Sequence, residues 1–265
     1  MKVFWDYELK ADHNRMPEVA LYFDNQIIGG PRTSHKYNIA IVCCEPFEII
    51  GHEVEKYLLR NWIEFDLILT DKFSLLTLPN AKIFIYADPW MINAENKAPV
   101  MYGASTLIGH KMWTVGHRFR HILWDRRNEI YNIPKYFFSS QHGGPPSQYI
   151  ISEYKDPLFE YQYHICIENT ISDYYITEKI IDCFRMNVVP IYIGAKKIGD
   201  FFDERGIFEA SNIDDVISIC NELSSKKYES MKKFVRLNRS VSNVYANFGE
   251  RLVKIIEQTL GLRSE

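Results

Sequence analysis

Between His164 and Gly194 the chain reads HICIENTISDYYITEKIIDCFRMNVVPIYIG, and few folds accommodate that order of residues. A short apolar run, residues 165–167, leads into a polar turn over 168–175. An amphipathic segment over 177–186 follows, and then a second apolar run over 188–193. The pattern predicts a strand, a helix and a strand. Such crossovers are right-handed and join parallel strands, so the polar turn is expected at the carboxyl edge of a parallel sheet, beside the start of the helix.

Anions bind at such an edge. Free backbone N–H groups and the positive end of the helix dipole favour phosphate, and Lys179 in the first turn adds a full charge. Glu178 beside it suits a ribose diol, whose hydroxyls donate hydrogen bonds to a carboxylate. An ammonium and a carboxylate side by side at a helix start point to a nucleotide diphosphate site. A second strand-to-helix turn supports this: the apolar run 102–108 precedes Gly116-His117-Arg118-Phe119-Arg120-His121, which opens an amphipathic segment ending near Tyr131. An arginine at a helix start can donate two parallel hydrogen bonds to a phosphate. Arg118 and Arg120 both qualify.

Composition sets the outer bounds. With 265 residues, 46% of them hydrophobic, the chain can bury one large core or two ordinary ones. A net charge of −3 argues against a nucleic-acid partner and leaves the local basic clusters to small anions. No run approaches the roughly 18 apolar residues that cross a bilayer, and the first six residues, MKVFWD, are charged too early for a signal peptide. A cytoplasmic location is therefore expected. The five cysteines form no zinc-like or disulfide-like spacing and read as buried free thiols.

Elsewhere, residues 2–6, 38–44, 65–70 and 83–87 read as strands, with a helix over 49–60. Alternation of this kind argues for parallel sheets covered by helices. The expected division is an N-terminal domain over 1–101, a nucleotide-binding domain over 102–245 and a helical tail over 246–265. Gly143-Gly144-Pro145-Pro146 marks a loop. Toward the C-terminus, Phe234, Leu237, Val241, Val244 and Tyr245 recur at helical spacing, extended by Leu252, Ile255 and Ile256, and read as core-facing. Lys226, Lys227, Lys232 and Lys233 do not by themselves make a membrane-binding tail, although peripheral membrane contact stays open.

Glu168-Asn169, the run Tyr175-Ile176-Thr177-Glu178-Lys179-Ile180, and Val189-Pro190-Ile191 together resemble the donor-binding signature of glycosyltransferase family 10, the α-1,3-fucosyltransferases. The likeness is strong over about 113–202. It implies a GT-B fold of two Rossmann-like domains facing across a cleft, with the donor in the C-terminal domain and the acceptor mainly on the N-terminal one. It further implies inverting transfer of L-fucose from GDP-fucose to a glycan hydroxyl in α-1,3 linkage. In the roles so implied, Asn169 and Tyr175 hydrogen-bond the phosphates, Glu178 the ribose hydroxyls, and Lys179 with Arg120 the diphosphate. The base of such enzymes follows a strand of the N-terminal domain in a Glu-Ser-Pro-like setting, which Glu45-Pro46 matches without the serine. Glu48 and Glu53 compete with Glu45.

Two positions depart from the family pattern. Gln162 stands where a lysine is usual, which is expected to remove a cation near the donor. Asn187 replaces a glycine that often ends the motif helix, and asparagine also adopts the left-handed cap. The sequence contains no Asp-x-Asp, so neutralisation of the leaving group by Arg and Lys is expected and no metal is required. His142 and His164 read as polar lining or packing residues. A related transferase with another nucleotide-sugar donor and a nucleotide-sugar-binding protein without catalysis are the remaining readings.

Overall fold

The computed structural model describes residues 16–92 and 98–262, arranged in two compact units. One comprises the residues up to Tyr86 together with those from Asn247 onward, and the other spans Ala87–Ala246. The expected strand at 2–6 lies outside the described residues.

The first unit is built on four parallel strands in the order β1-β2-β3-β4: β1 (Val19–Phe23), β2 (Tyr37–Val42), β3 (Leu67–Thr70) and β4 (Ala81–Ile83). Helices α1 (Phe47–Ile50) and α2 (Glu53–Asn61) lie between β2 and β3. Because successive side chains on a strand face opposite ways, β2 supplies two cores. Ala40 and Val42 pack with Val54 and Leu58 of α2, whereas Ile39 and Ile41 pack with Phe248, Leu252 and Ile256 near the C-terminus. Burial on both faces explains why the central strands are continuously apolar.

The second unit carries a six-stranded parallel sheet in the order β10-β9-β8-β5-β6-β7. In chain order its elements are β5 (Met101–Ile108), α3 (Val115–Asp125), β6 (Lys135–Ser140), β7 (Tyr149–Ile151), β8 (Tyr161–Ile167), α4 (Glu178–Arg185), β9 (Val189–Ile193), β10 (Phe208–Glu209), α5 (Ile213–Glu222) and α6 (Ser225–Ser242). The chain moves outward from β5 through β6 to β7, then returns to β8 and proceeds the other way. The strand order therefore reverses between β5 and β8, and in open α/β sheets ligands bind outside the carboxyl ends of the two strands at such a switch point.

Several expectations need correcting. The helix expected over 49–60 is two helices, because Gly51 leaves helical geometry at φ 88°. The strand expected over 83–87 ends at Ile83: the carbonyls of Ile85 and Tyr86 accept from the Arg251 guanidinium at 3.0 and 2.5 Å instead of continuing a ladder. Arg251 lies on α7 (Phe248–Leu260), which is part of the first unit's core rather than a separate tail. The boundary expected at 101/102 falls at 86/87. On α6 the core-facing residues are Tyr228, Val235, Asn238 and Ser242. Leu237, Val241 and Val244 are exposed, because Asn238 is drawn inward to accept from Asp203 N at 2.7 Å and donate to its carbonyl at 2.9 Å. Asn187 takes the left-handed conformation at φ 57°.

Candidate active site

Both helix starts converge on the end of β8. Thr114 caps α3, accepting from His117 N at 3.3 Å, while the His117 ring returns to Thr114. Thr177 caps α4, accepting from Lys179 N at 3.4 Å. These are ordinary N-cap interactions, each satisfying an N–H group of the first turn.

The start of α3 lies directly against the backbone after β8. Gly116 donates its N–H to Asn169 O at 3.0 Å, and a Cβ at that position would fall 1.7 Å from Glu168 O. Only glycine permits this approach. One turn later Arg120 reaches the same segment: Nε and Nη2 donate to Ile167 O at 3.1 and 2.6 Å, and Nη2 donates to Asn169 Oδ1 at 2.8 Å. Arg118 binds Trp113 O, at the surface. Arg120 is thus the arginine at the strand end, and it also lies within electrostatic reach of Glu178 and the buried Tyr175.

From the other side, Lys179 Nζ contacts Glu178 Oε1 at 2.9 Å, Thr177 Oγ1 at 3.0 Å and Glu168 Oε2 at 3.4 Å. Glu168 is fully buried and accepts from Thr177 N at 3.0 Å and from Thr177 Oγ1 at 2.7 Å. Burial raises the Glu168 pKa, against the pull of Lys179. Burial by itself would lower the Lys179 pKa, but the carboxylates of Glu178 and Glu168 outweigh it and hold the ammonium charged. Burial lowers the Arg120 pKa, opposed by Glu168. His117 is pushed down to about 4, first by burial and then by Arg120 and Lys111, so it is neutral at pH 7.

Arg120, Asn169, Tyr175, Glu178 and Lys179 are therefore all in the second unit, around one strand end. The sequence reading gave no role to Glu168, Thr177 or Gly116, although a threonine directly before Glu-Lys is a helix-start signal. Gln162 corrects a further expectation. It lies five residues before the end of β8, about 16 Å along the strand, so a lysine there would begin far from the phosphate-binding edge. His164 is buried, its Nδ1 2.7 Å from Ser105 Oγ, which is a packing role. Glu45 follows β2 in the first unit, half-buried, within electrostatic reach of Asp24. Among the described residues no three His, Cys, Asp or Glu side chains group as metal ligands.

The family model described as glycosyltransferase family 10 (fucosyltransferase) C-term matches residues 111–239. The α-(1,3)-fucosyltransferase FucT of Helicobacter pylori is 29% identical over 82 residues, 30% of this chain and only 17% of that protein's length. A crystal structure of an α1,3-fucosyltransferase superposes over 88% of this chain and 78% of its own at a TM-score of 0.52 and 16% identity. TarM superposes over 86% of this chain and 51% of its own at a TM-score of 0.55 and 13% identity. These likenesses establish the fold, two parallel-sheet units of the GT-B type. The family match covers the two helix starts and the strand end that gather the charged residues, so residues 111–239 are similar to the C-terminal domain of glycosyltransferase family 10, the fucosyltransferases.

Proposed function

We propose that the chain transfers L-fucose from GDP-fucose to a hydroxyl of a glycan acceptor, with inversion and in α-1,3 linkage. The observation that carries this reading is the pairing of Arg120 and Lys179 at the switch point with Glu178 beside them. Arg120 and Lys179 are assigned to the diphosphate, with Asn169 and Tyr175 as further phosphate contacts. Glu178 accepts hydrogen bonds from the ribose hydroxyls. When the acceptor oxygen attacks the anomeric carbon, the bond to the phosphate oxygen breaks and negative charge develops on the departing GDP. Fixed cations stabilise that charge more in the transition state than in the ground state.

Glu45 is assigned as the base that takes the acceptor hydroxyl proton. Four buried free thiols, Cys43, Cys166, Cys183 and Cys220, suit a reducing compartment such as the cytoplasm. The test is a panel of nucleotide sugars, scored by thermal shift and then by transfer to glycan acceptors. A ligand at about a hundred times its dissociation constant stabilises a fold by roughly 2.7 kcal/mol. GDP and GDP-fucose are expected to stabilise, and GDP-fucose to be consumed. Stabilisation by UDP-sugars alone would sink the donor assignment.

A further inference from the structure

At the switch point both cations are already engaged. Lys179 is paired with the side chains of Glu178 and Glu168, and Arg120 donates to Ile167 O and Asn169 Oδ1. His117 is neutral at pH 7. A nucleotide diphosphate brings about two negative charges or more into this partly buried setting. A site that binds it needs a further cation, and the second unit holds one in an unusual seat.

Trp90 is 53% exposed, yet its backbone is clamped. Its N–H donates to Asp182 Oδ2 at 3.3 Å, and the Met91 N–H donates to Asp182 Oδ1 at 3.0 Å. Arg185 donates to Met91 O and Ile92 O, each at 2.8 Å. Asp182 lies four residues after Glu178, so the clamp holds Trp90 on the face of α4 that carries Glu178. Over the Trp90 ring sits the Lys155 ammonium, 5.3 Å from the ring centroid and donating to Ser152 O at 2.9 Å.

We propose that Lys155 is a further donor-binding residue: its ammonium, seated on the Trp90 indole at the Glu178 face of α4, moves onto the diphosphate of the bound nucleotide. The inference rests on the donor reading above. A cation on an exposed indole is weakly held, and the flexible lysine stem lets it leave for a stronger anion. Burial lowers the Lys155 pKa while Glu178 opposes the shift, which places the ammonium in the electrostatic field of the site. Trp90 and Asp182 act as positioning residues.

The experiment is calorimetric titration of the whole chain with GDP and with guanosine, for wild type, Lys155→Gln, Lys155→Arg, Trp90→Leu and Lys179→Ala, each first shown to keep wild-type circular dichroism. For Lys155→Gln, GDP affinity is expected to fall about tenfold, the lower end for a charge-assisted contact. Guanosine affinity should stay unchanged, Lys155→Arg should retain most of the GDP affinity, and Trp90→Leu should fall between. Loss of GDP binding in Lys179→Ala with none in Lys155→Gln overturns the role of Lys155 and leaves the donor reading intact. Equal losses for GDP and guanosine in Lys155→Gln also overturn it, since the diphosphate would not be what Lys155 reads. A wild-type chain that binds no GDP overturns both.

Discussion

Gly116 and Asn169 are joined by a 3.0 Å hydrogen bond from the glycine N–H to the asparagine carbonyl, which brings the start of α3 against the end of β8. No side chain fits there. Gly116→Ala would drive a methyl group to 1.7 Å from Glu168 O, a backbone atom that cannot move without shifting β8. We expect the substitution to cost about 3 kcal/mol of stability or more, at the upper end for overpacking. Urea unfolding checks this, and a variant as stable as wild type would refute the packing described.

Lys179→Ala and Glu178→Ala should each weaken GDP binding by about 1.5–3 kcal/mol, the range for hydrogen bonds to charged groups. The lysine variant also leaves the buried Glu168 with only its Thr177 partners, so it should lose thermal stability as well. Calorimetric titration of both variants checks the site. Unchanged affinity in both would remove this strand end from the donor site.

Glu45→Gln preserves shape but cannot take a proton, so transfer should fall by roughly 10²–10⁴-fold, the usual contribution of a positioned base. GDP affinity should be unaltered. Glu48 is exposed, and Glu53 pairs with Lys56 at 2.7 Å, so the matching glutamine variants should keep near-normal turnover. Normal activity in Glu45→Gln would exclude it as the base.

Transfer should persist in EDTA if Arg120 and Lys179, as proposed, bind the diphosphate and neutralise the leaving group. Loss of activity on chelation that a divalent metal restores would contradict this assignment.

The two buried histidines should each contribute a loss of stability on mild acidification, opposite in sign to the buried carboxylates Asp24 and Asp71, which burial raises to about 6. Burial pushes His117 from 6.5 down to about 4, with Arg120 and Lys111 adding to the shift, and it pushes His164 to about 3. Both folded values are depressed, so the unfolded chain takes up protons first. Stability present above pH 6.5 is lost progressively as pH falls toward 4. Each histidine accounts for on the order of 3 kcal/mol at the acid end of that window. Urea unfolding at pH 7.5, 6 and 5 should show wild type losing stability relative to His164→Gln as pH falls. An unchanged difference between the two across that range would count against neutral burial of the His164 ring.

The crossover at 164–194 was legible because each of its features is local. Strand and helix differ in side-chain period, and Asn187 takes the left-handed turn its residue type permits. Arg120, Asn169, Tyr175, Glu178 and Lys179 followed from the resemblance, and one strand end gathers them. Less was legible where the chain contacts distant residues. The apolar residues of α6 follow a helical period, but which side faces inward was decided by Asn238 binding the Asp203 backbone.

What the sequence alone determined, then, is the parallel α/β class, the donor motif and the helix start that carries it, since these rest on residues a few positions apart. The tertiary structure decided the rest. It returned α7 to the first core, stopped β4 where Arg251 takes the carbonyls, and placed the strand reversal between β5 and β8. It also showed that Glu168 holds the cap of α4 and that Asp182 holds Trp90 under Lys155. The physical reason is that periodicity and caps are set by near neighbours, whereas a buried charge or a close backbone approach is satisfied by whichever distant group the fold brings to it.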